Sequence, residues 1–251
     1  MAYGIDRTHI ARGIISYRQG GDERVTQCAL TAEGACLGIS SWWIIKQAQH
    51  KLGRPHSQDF WDWYETDPKA IHRVRSVMQN QRDVIEKGTE KYRATGMLSS
   101  STVATNKLRP YINFILNNSG FNVLGNKRGL VESPQAVAWG LLANDIETTP
   151  GFSLISFATP KQQLNFVGHA VATIVSENGN VDFMDPNIGE FRGLKKGVLS
   201  EFFGALKMAE RYDGATVKYS LQTLCQRSGY VAPSPGTGVL GYLTMGTRRR
   251  L

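Results

Sequence analysis

Cys36 has the sequence setting best suited to covalent chemistry in this chain of 251 residues. Small residues precede it, and the segment from Leu37 to Ile45 that follows is apolar on almost every face of a helical wheel. A helix that is apolar all round is buried. A cysteine at the N-terminus of such a helix lies at the positive end of the helix dipole, which lowers the thiol pKa and favours the nucleophilic thiolate. The alternative is an inert core cysteine, because free cysteine is among the most buried residue types.

A base for this thiol lies in a hairpin that the sequence predicts late in the chain. A β-branched run over 167–175 is followed by the turn signal Asn178-Gly179 and a return strand over 181–185. His169 lies early in the first strand and Asp185 at the end of the second. Perfect register does not place them directly opposite each other, but a five-residue loop or a bulge brings them together. A carboxylate beside an imidazole holds the ring's tautomer and stabilises the imidazolium.

The order and spacing of these three residues also carry information. His169 and Asp185 both follow Cys36 at the separation of roughly 130 to 150 residues that papain-type enzymes show. Taken alone, His169 fits a hydrogen-bonded core histidine, and Asp185 fits an ordinary turn start. Together with a cysteine at the mouth of a helix, the two residues favour nucleophilic catalysis by a thiolate.

The elements that must position these residues follow an α+β pattern, with helices first and an antiparallel sheet afterwards. Residues 1–33 are expected to be irregular. Helices are predicted over about 36–52, 59–64, 68–94, 103–118, 134–146 and 197–211. Strands are predicted over about 121–124, 152–158, 167–175, 181–185, 189–191 and 216–221, with a turn at 126–129. We expect one domain over 1–251, with a helical half over about 30–148, a sheet half over about 150–225 and an irregular tail over 229–251.

Composition excludes several classes of protein. Apolar residues make up 41% and charged residues 20%, as in soluble globular proteins. The formal net charge is +8, but the basic residues are spread along the chain and no nucleic-acid-binding motif accompanies them. No apolar run reaches the roughly 20 residues that a membrane helix needs, and no signal-peptide core follows the first residues. Neither nucleic-acid binding nor an integral membrane segment is predicted.

The cysteines indicate a reducing environment without a metal site. Cys28, Cys36 and Cys225 form an odd set with no CxxC pair and no Cys/His cluster. No metal and no cofactor is therefore predicted, and a thiolate can persist in such a compartment. Cys28 and Cys225 are expected to be structural.

Three separated segments resemble the YopT/AvrPphB family of cysteine proteases. They are Gly34-Ala35-Cys36-Leu37-Gly38-Ile39-Ser40, then Gly168-His169-Ala170, then Asp185-Pro186-Asn187-Ile188-Gly189-Glu190-Phe191, the most specific of the three. The resemblance implies a papain-like fold in which a buried catalytic helix packs on the sheet, and a Cys36-His169-Asp185 triad. It also implies a monomeric effector that a bacterium secretes through a specialised system. Such an effector cleaves a protein in the target-cell cytoplasm, for example a small GTPase or a kinase.

The resemblance further implies an oxyanion hole made by the backbone N–H of Cys36 and one side-chain donor. In papain-like enzymes this donor is a polar residue a few positions before the cysteine. Gln27 and Thr31 are the candidates, although Gln27 lies farther upstream than usual and a threonine hydroxyl is an unusual donor there.

Two alternatives remain open at this point. The same triad could perform another acyl transfer, as in a deamidase, a transglutaminase or a peptidoglycan amidase. The chain could also be a catalytically silent binding module that keeps the fold.

Overall fold

The computed structural model of the chain describes residues 13–27, 35–51, 58–79, 120–131, 135–158, 169–206 and 217–226. Its helices are α1 (Glu23–Thr26), α2 (Cys36–Lys51), α3 (Phe60–Thr66), α4 (described over 70–79), α5 (Gln135–Glu147) and α6 (Leu199–Ala205). A 3-10 turn spans Gln19–Gly21. The strands are β1 (Gly13–Ser16), β2 (Phe121–Val131), β3 (Gly151–Ala158), β4 (His169–Val175), β5 (Val181–Asp185), β6 (Gly189–Leu194) and β7 (Val217–Gln226).

The strands form one seven-stranded sheet in the order β1-β6-β5-β4-β3-β7-β2, and the neighbouring strands are antiparallel. Strands β1 and β2 are therefore its two edges. The last of the described strands, β7, lies between β3 and β2. The two strands predicted to carry the histidine and the aspartate, β4 and β5, lie near the middle of the sheet.

The sheet separates two hydrophobic cores because successive side chains of a strand point to opposite faces. On β4, Ala170, Ala172 and Ile174 face the first core, whereas Val171 and Val175 face the second. Helices α2, α3 and α4 supply the first core, and α2 contacts β3, β4 and β5. Helices α5 and α6 supply the second core. A strand buried on both faces reads as a nearly continuous apolar run, as the sequence over 170–175 does apart from Thr173.

Helix α2 is held closely on its other side by α4. A Cβ atom placed on Gly38 would lie 2.6 Å from the backbone oxygen of Val74, so only glycine permits this approach of the two helices. Helix α3 also packs on α2, where the rings of Trp42 and Trp63 lie 5.1 Å apart. The position of α2, and hence of Cys36, is fixed on several sides.

The α+β class, the antiparallel sheet and the helix over about 36–52 are confirmed. Two predictions are wrong. Residues 13–26 are not irregular but form β1, a 3-10 turn and α1. The turn at 126–129 does not exist, because β2 runs through it as an edge strand inside the stretch assigned to the helical half.

Some bounds also differ. The helix predicted from 68 begins at 70, where the Asp67 carboxylate accepts a hydrogen bond from the backbone N–H of Lys69. The strand predicted over 216–221 extends to Gln226. The helix predicted over 103–118 and the tail over 229–251 lie outside the described residues.

Candidate active site

Cys36 is the first residue of α2, and its side chain is buried without a disulfide. The helix begins where the N–H of Ile39 donates to the carbonyl of Ala35, so the thiol lies at the positive end of the helix dipole. Burial raises the pKa of the thiol. A hydrogen bond with His169, the charge of His169 and the backbone N–H groups of Ala170 and Leu37 outweigh this effect and lower the pKa below its usual range. The environment favours the thiolate.

A hydrogen bond joins α2, which carries the thiol, to β4, which carries the histidine. The hydroxyl of Ser40, one turn after Cys36, donates to the carbonyl of Ala170 at 3.0 Å. Ala170 directly follows His169 at the beginning of β4. This buried bond ties the first turn of the helix to the strand end that carries the imidazole.

His169 and Asp185 form a buried pair. His169 Nε2 lies 2.8 Å from Asp185 Oδ1, and the two side chains are 10% and 0% exposed. Burial lowers the pKa of His169, but the charge and hydrogen bond of Asp185, together with Cys36, raise it well above its usual range. So little exposure leaves scant screening by water, which strengthens this pairing.

The pair is diagonal across the two strands. Strands β4 and β5 pair from Ala172↔Met184 to Val175↔Val181, and residues 176–180 connect them, as in the predicted five-residue loop. Diagonal neighbours on one face of a sheet lie within reach of long side chains. Asp185 is further held by the backbone N–H of Asn187, which donates to Oδ1 at 2.8 Å. The structure thus brings Cys36, His169 and Asp185 together.

Gln19 is a residue of this site that the sequence did not predict. It is 7% exposed, and its backbone N–H donates to the carbonyl of Pro186 at 2.8 Å. Its side-chain Oε1 accepts from the backbone N–H of Ala35, and its Nε2 donates to Asn187 Oδ1, both at 2.6 Å. A lone glutamine beside Gly20-Gly21 in a polar segment carries no local sign of burial, so sequence reasoning had no signal for it.

The two predicted oxyanion candidates are less informative in the structure. Gln27 is exposed at the end of α1. Thr31 and Cys28 lie outside the described residues, and Cys225 lies in β7. Gln19 therefore joins the candidates as an amide that already touches the residue before Cys36.

Glu190 is the glutamate of the motif from Asp185 to Phe191, and its contacts give it a structural role. It is 1% exposed, and its carboxylate accepts hydrogen bonds from Trp61 Nε1 and Arg192 Nε at 2.5 Å each and from Gln47 Nε2 at 3.4 Å. Arg192 also donates to Asp59 at 2.7 Å. These contacts tie β6 to α2 and α3, so Glu190 has a structural role in the fold.

Within the described residues, no cluster of three or more His, Cys, Asp or Glu side chains could hold a metal ion. In the same part of the chain, no helix has both the length and the apolar character needed to cross a membrane.

A buried helix beginning with a cysteine, packed on an antiparallel sheet, defines a papain-like protease fold. The chain belongs to the Peptidase C58 family, described as the Yersinia/Haemophilus virulence surface antigen, whose family model matches residues 17–222. It is thus a cysteine protease of a bacterial virulence-effector family, and the resemblance found in the sequence is confirmed.

Two further comparisons add to this result. The crystal structure of the Pseudomonas avirulence protein AvrPphB is similar to the chain, with a TM-score of 0.55 and 16% identity, and the match covers 78% of this chain and 95% of that one. At this identity the likeness concerns the fold. No curated protein matches the chain.

Proposed function

We propose that the chain is an endopeptidase in which Cys36, His169 and Asp185 act as a catalytic triad. The observation that carries this proposal is the hydrogen-bonded series Cys36, His169 and Asp185 in a buried site. The lowered pKa of the thiol and the raised pKa of the imidazole are the two halves of one ion pair. A thiolate–imidazolium pair is the resting state of an activated cysteine nucleophile.

The first half of the reaction acylates the enzyme. The Cys36 thiolate attacks the carbonyl carbon of a peptide bond, forming an S–C bond and an oxyanion. Protonated His169 gives its proton to the departing amine as the C–N bond breaks, which leaves a thioester. Asp185 holds the ring by accepting from Nε2 and stabilises the imidazolium.

The second half restores the enzyme. Neutral His169 takes a proton from water, the resulting hydroxide attacks the thioester, and the thiolate leaves as the product acid is released. The backbone N–H of Cys36 at the N-terminus of α2 is one oxyanion donor. The side-chain donor is Gln19, Gln27 or Thr31. Gln19 has the strongest support because its Nε2 carries two hydrogens and lies beside the nucleophile's helix.

The substrate that we propose is a protein of a target cell, for example a small GTPase or a kinase. The protease would reach the target-cell cytoplasm after secretion by a bacterium and act there as a monomer. Membership of a virulence-effector family supports this setting.

N-terminal peptide profiling of target-cell lysate, with wild type against Cys36→Ala, tests the proposal. We expect new protein N-termini with wild type only, and loss of these termini in His169→Ala and Asp185→Ala. Cys28→Ala is the matched control and should keep the activity. If Cys36→Ala cleaved proteins at the level of the wild type, the assignment of Cys36 as the nucleophile would be refuted. A mass change on substrate side chains without chain cleavage would instead reassign the triad to deamidation or transglutamination.

Iodoacetamide labelling gives a second test that needs no substrate. An ion-paired Cys36 should react near neutral pH faster than a free model thiol, because more of it is thiolate. Labelling no faster than the model thiol would show that the thiolate–imidazolium pair is absent, as expected of a catalytically silent binding module.

A further inference from the structure

A row of hydrogen-bonding groups connects Ala35, the residue before the nucleophile, to Nδ1 of His169. This is the ring nitrogen that does not bond Asp185. The Ala35 N–H donates to Gln19 Oε1 at 2.6 Å, and Gln19 Nε2 donates to Asn187 Oδ1 at 2.6 Å. Asn187 Nδ2 then lies 3.5 Å from His169 Nδ1. The backbone N–H of Asn187 donates to the same Asp185 oxygen that receives His169 Nε2.

The direction of this row follows from its first member. A backbone N–H can only donate, so the oxygen of the Gln19 amide must face Ala35. The Gln19 nitrogen then faces Asn187, whose oxygen must accept. The Asn187 nitrogen is thereby left facing His169. Amide orientations follow from the hydrogen-bond network around them, and here a backbone group fixes both amides in turn.

This direction has a consequence for the proton on His169. Asp185 occupies Nε2 as an acceptor, so Nε2 carries a hydrogen. Nδ1 faces N–H donors of Asn187, which suit its lone pair and oppose a hydrogen there. When Nδ1 does carry the proton, Asn187 offers it no acceptor, and the proton is directed to the sulfur of Cys36.

We propose that Gln19 and Asn187 act as positioning residues that set the proton affinity of His169 Nδ1 and direct its proton to Cys36. This inference rests on the proposed triad. The titratable groups facing His169 among the described residues are Asp185 and Cys36, and both favour the protonated ring. We call the row of hydrogen bonds from the Ala35 N–H through Gln19 and Asn187 to His169 Nδ1 the Gln19–Asn187 relay. The relay lowers the proton affinity of Nδ1, so that the imidazolium can still release its proton to a leaving amine.

The relay is tested by the titration of the His169 ring, read by ¹⁵N NMR in a Cys36→Ala background. In Gln19→Glu, one carboxylate oxygen still accepts from Ala35 and the other replaces the Gln19 nitrogen as an acceptor. Asn187 must then turn its amide, so that its oxygen faces Nδ1 and accepts the imidazolium hydrogen. We expect the pKa of His169 to rise by about one unit, as a gained hydrogen bond implies.

The added charge alone would also raise this pKa, so Asn187→Leu provides the matched control. Without an amide that can turn, Gln19→Glu should raise the pKa clearly less than it does with Asn187 present. Equal shifts in the two backgrounds would overturn the relay. Gln19→Met, which changes no charge, frees the Asn187 amide and should raise the pKa by about half a unit. An unchanged or lower pKa in this variant would also overturn it, even if Gln19→Glu did not fold.

A residue with only a packing role would not move this pKa in a manner that depends on Asn187. Proteolysis plays no part in the readout, because Cys36→Ala has no nucleophile. An inactive wild-type chain would therefore refute the proposed function, whereas the titration alone decides the relay.

Discussion

Glu190→Gln should strongly destabilise the fold, although the change is nearly isosteric. The carboxylate is 1% exposed and accepts from three donors, on Trp61, Arg192 and Gln47. An amide has one oxygen, so its NH2 group must meet a donor on one side. A hydrogen bond to a buried charged group contributes about 1.5–3 kcal/mol, and an unsatisfied buried donor costs about 1–3 kcal/mol.

The contribution of Arg192 has to be discounted. Its side chain is 39% exposed and keeps its second partner, Asp59, so solvent screens its bond with Glu190. The bond with Trp61 Nε1 is fully buried and remains the main loss. We therefore expect Glu190→Gln to lower the free energy of unfolding by about 2–4 kcal/mol, a large part of the roughly 5–15 kcal/mol typical of a protein.

Equilibrium unfolding in urea, followed by tryptophan fluorescence, measures this loss as a lower midpoint at unchanged slope. Glu177→Gln is the matched control, because Glu177 is exposed in the loop after β4 and should change stability by less than about 0.5 kcal/mol. If the two variants shifted the midpoint equally, the carboxylate of Glu190 would not have the structural role inferred here.

Three further predictions concern the site and its frame. Asp185→Asn should lower the pKa of His169, so the alkaline limb of the activity profile should move down by about one pH unit or more; an unmoved limb would contradict the pairing. Folding raises the pKa of His169, so its ionisation stabilises the folded state fully below about pH 6.5, and this stabilisation fades as the pH rises towards the folded pKa. The free energy of unfolding in urea should therefore fall with rising pH in wild type and fall less in Asp185→Asn. Gly189→Ala should lower the free energy of unfolding by about 3 kcal/mol or more, because φ is 125° and a Cβ would lie 2.0 Å from the Ile15 carbonyl oxygen. The control Gly204→Ala, with open space in α6, should be neutral or stabilising by up to about 1 kcal/mol.

The parts of the fold that the sequence predicted are those in which local pattern and burial agree. Helix α2 is apolar all round and buried, and the hairpin over 169–185 combines β-branched strands with an Asn-Gly turn. For the same reason the three residues of the proposed triad could be named before the fold was known. Each stands at the end of a strongly patterned element.

The parts that were missed depend on distant partners. Strand β2 runs through Asn126-Lys127-Arg128-Gly129 because pairing with β7 outweighs local turn propensity. The hydroxyls of Tyr17 and Tyr64 both donate to the carboxylate of Asp22, and this contact of the N-terminal segment cannot be predicted from the local sequence pattern. Gln19 is buried only because the turn after β5 and the start of α2 close over it.

The strand order also determines how much of the chain must be synthesised before the described sheet can be complete. Cys36 is synthesised early and His169 much later, while β7, the last of the described strands, pairs between β3 and β2. Until β7 leaves the ribosome, β2 has no partner strand and the second core lacks Leu221. Pairings between such distant segments form slowly and late. In a nascent chain, Cys36 should therefore stay outside its completed fold until β7 has been synthesised.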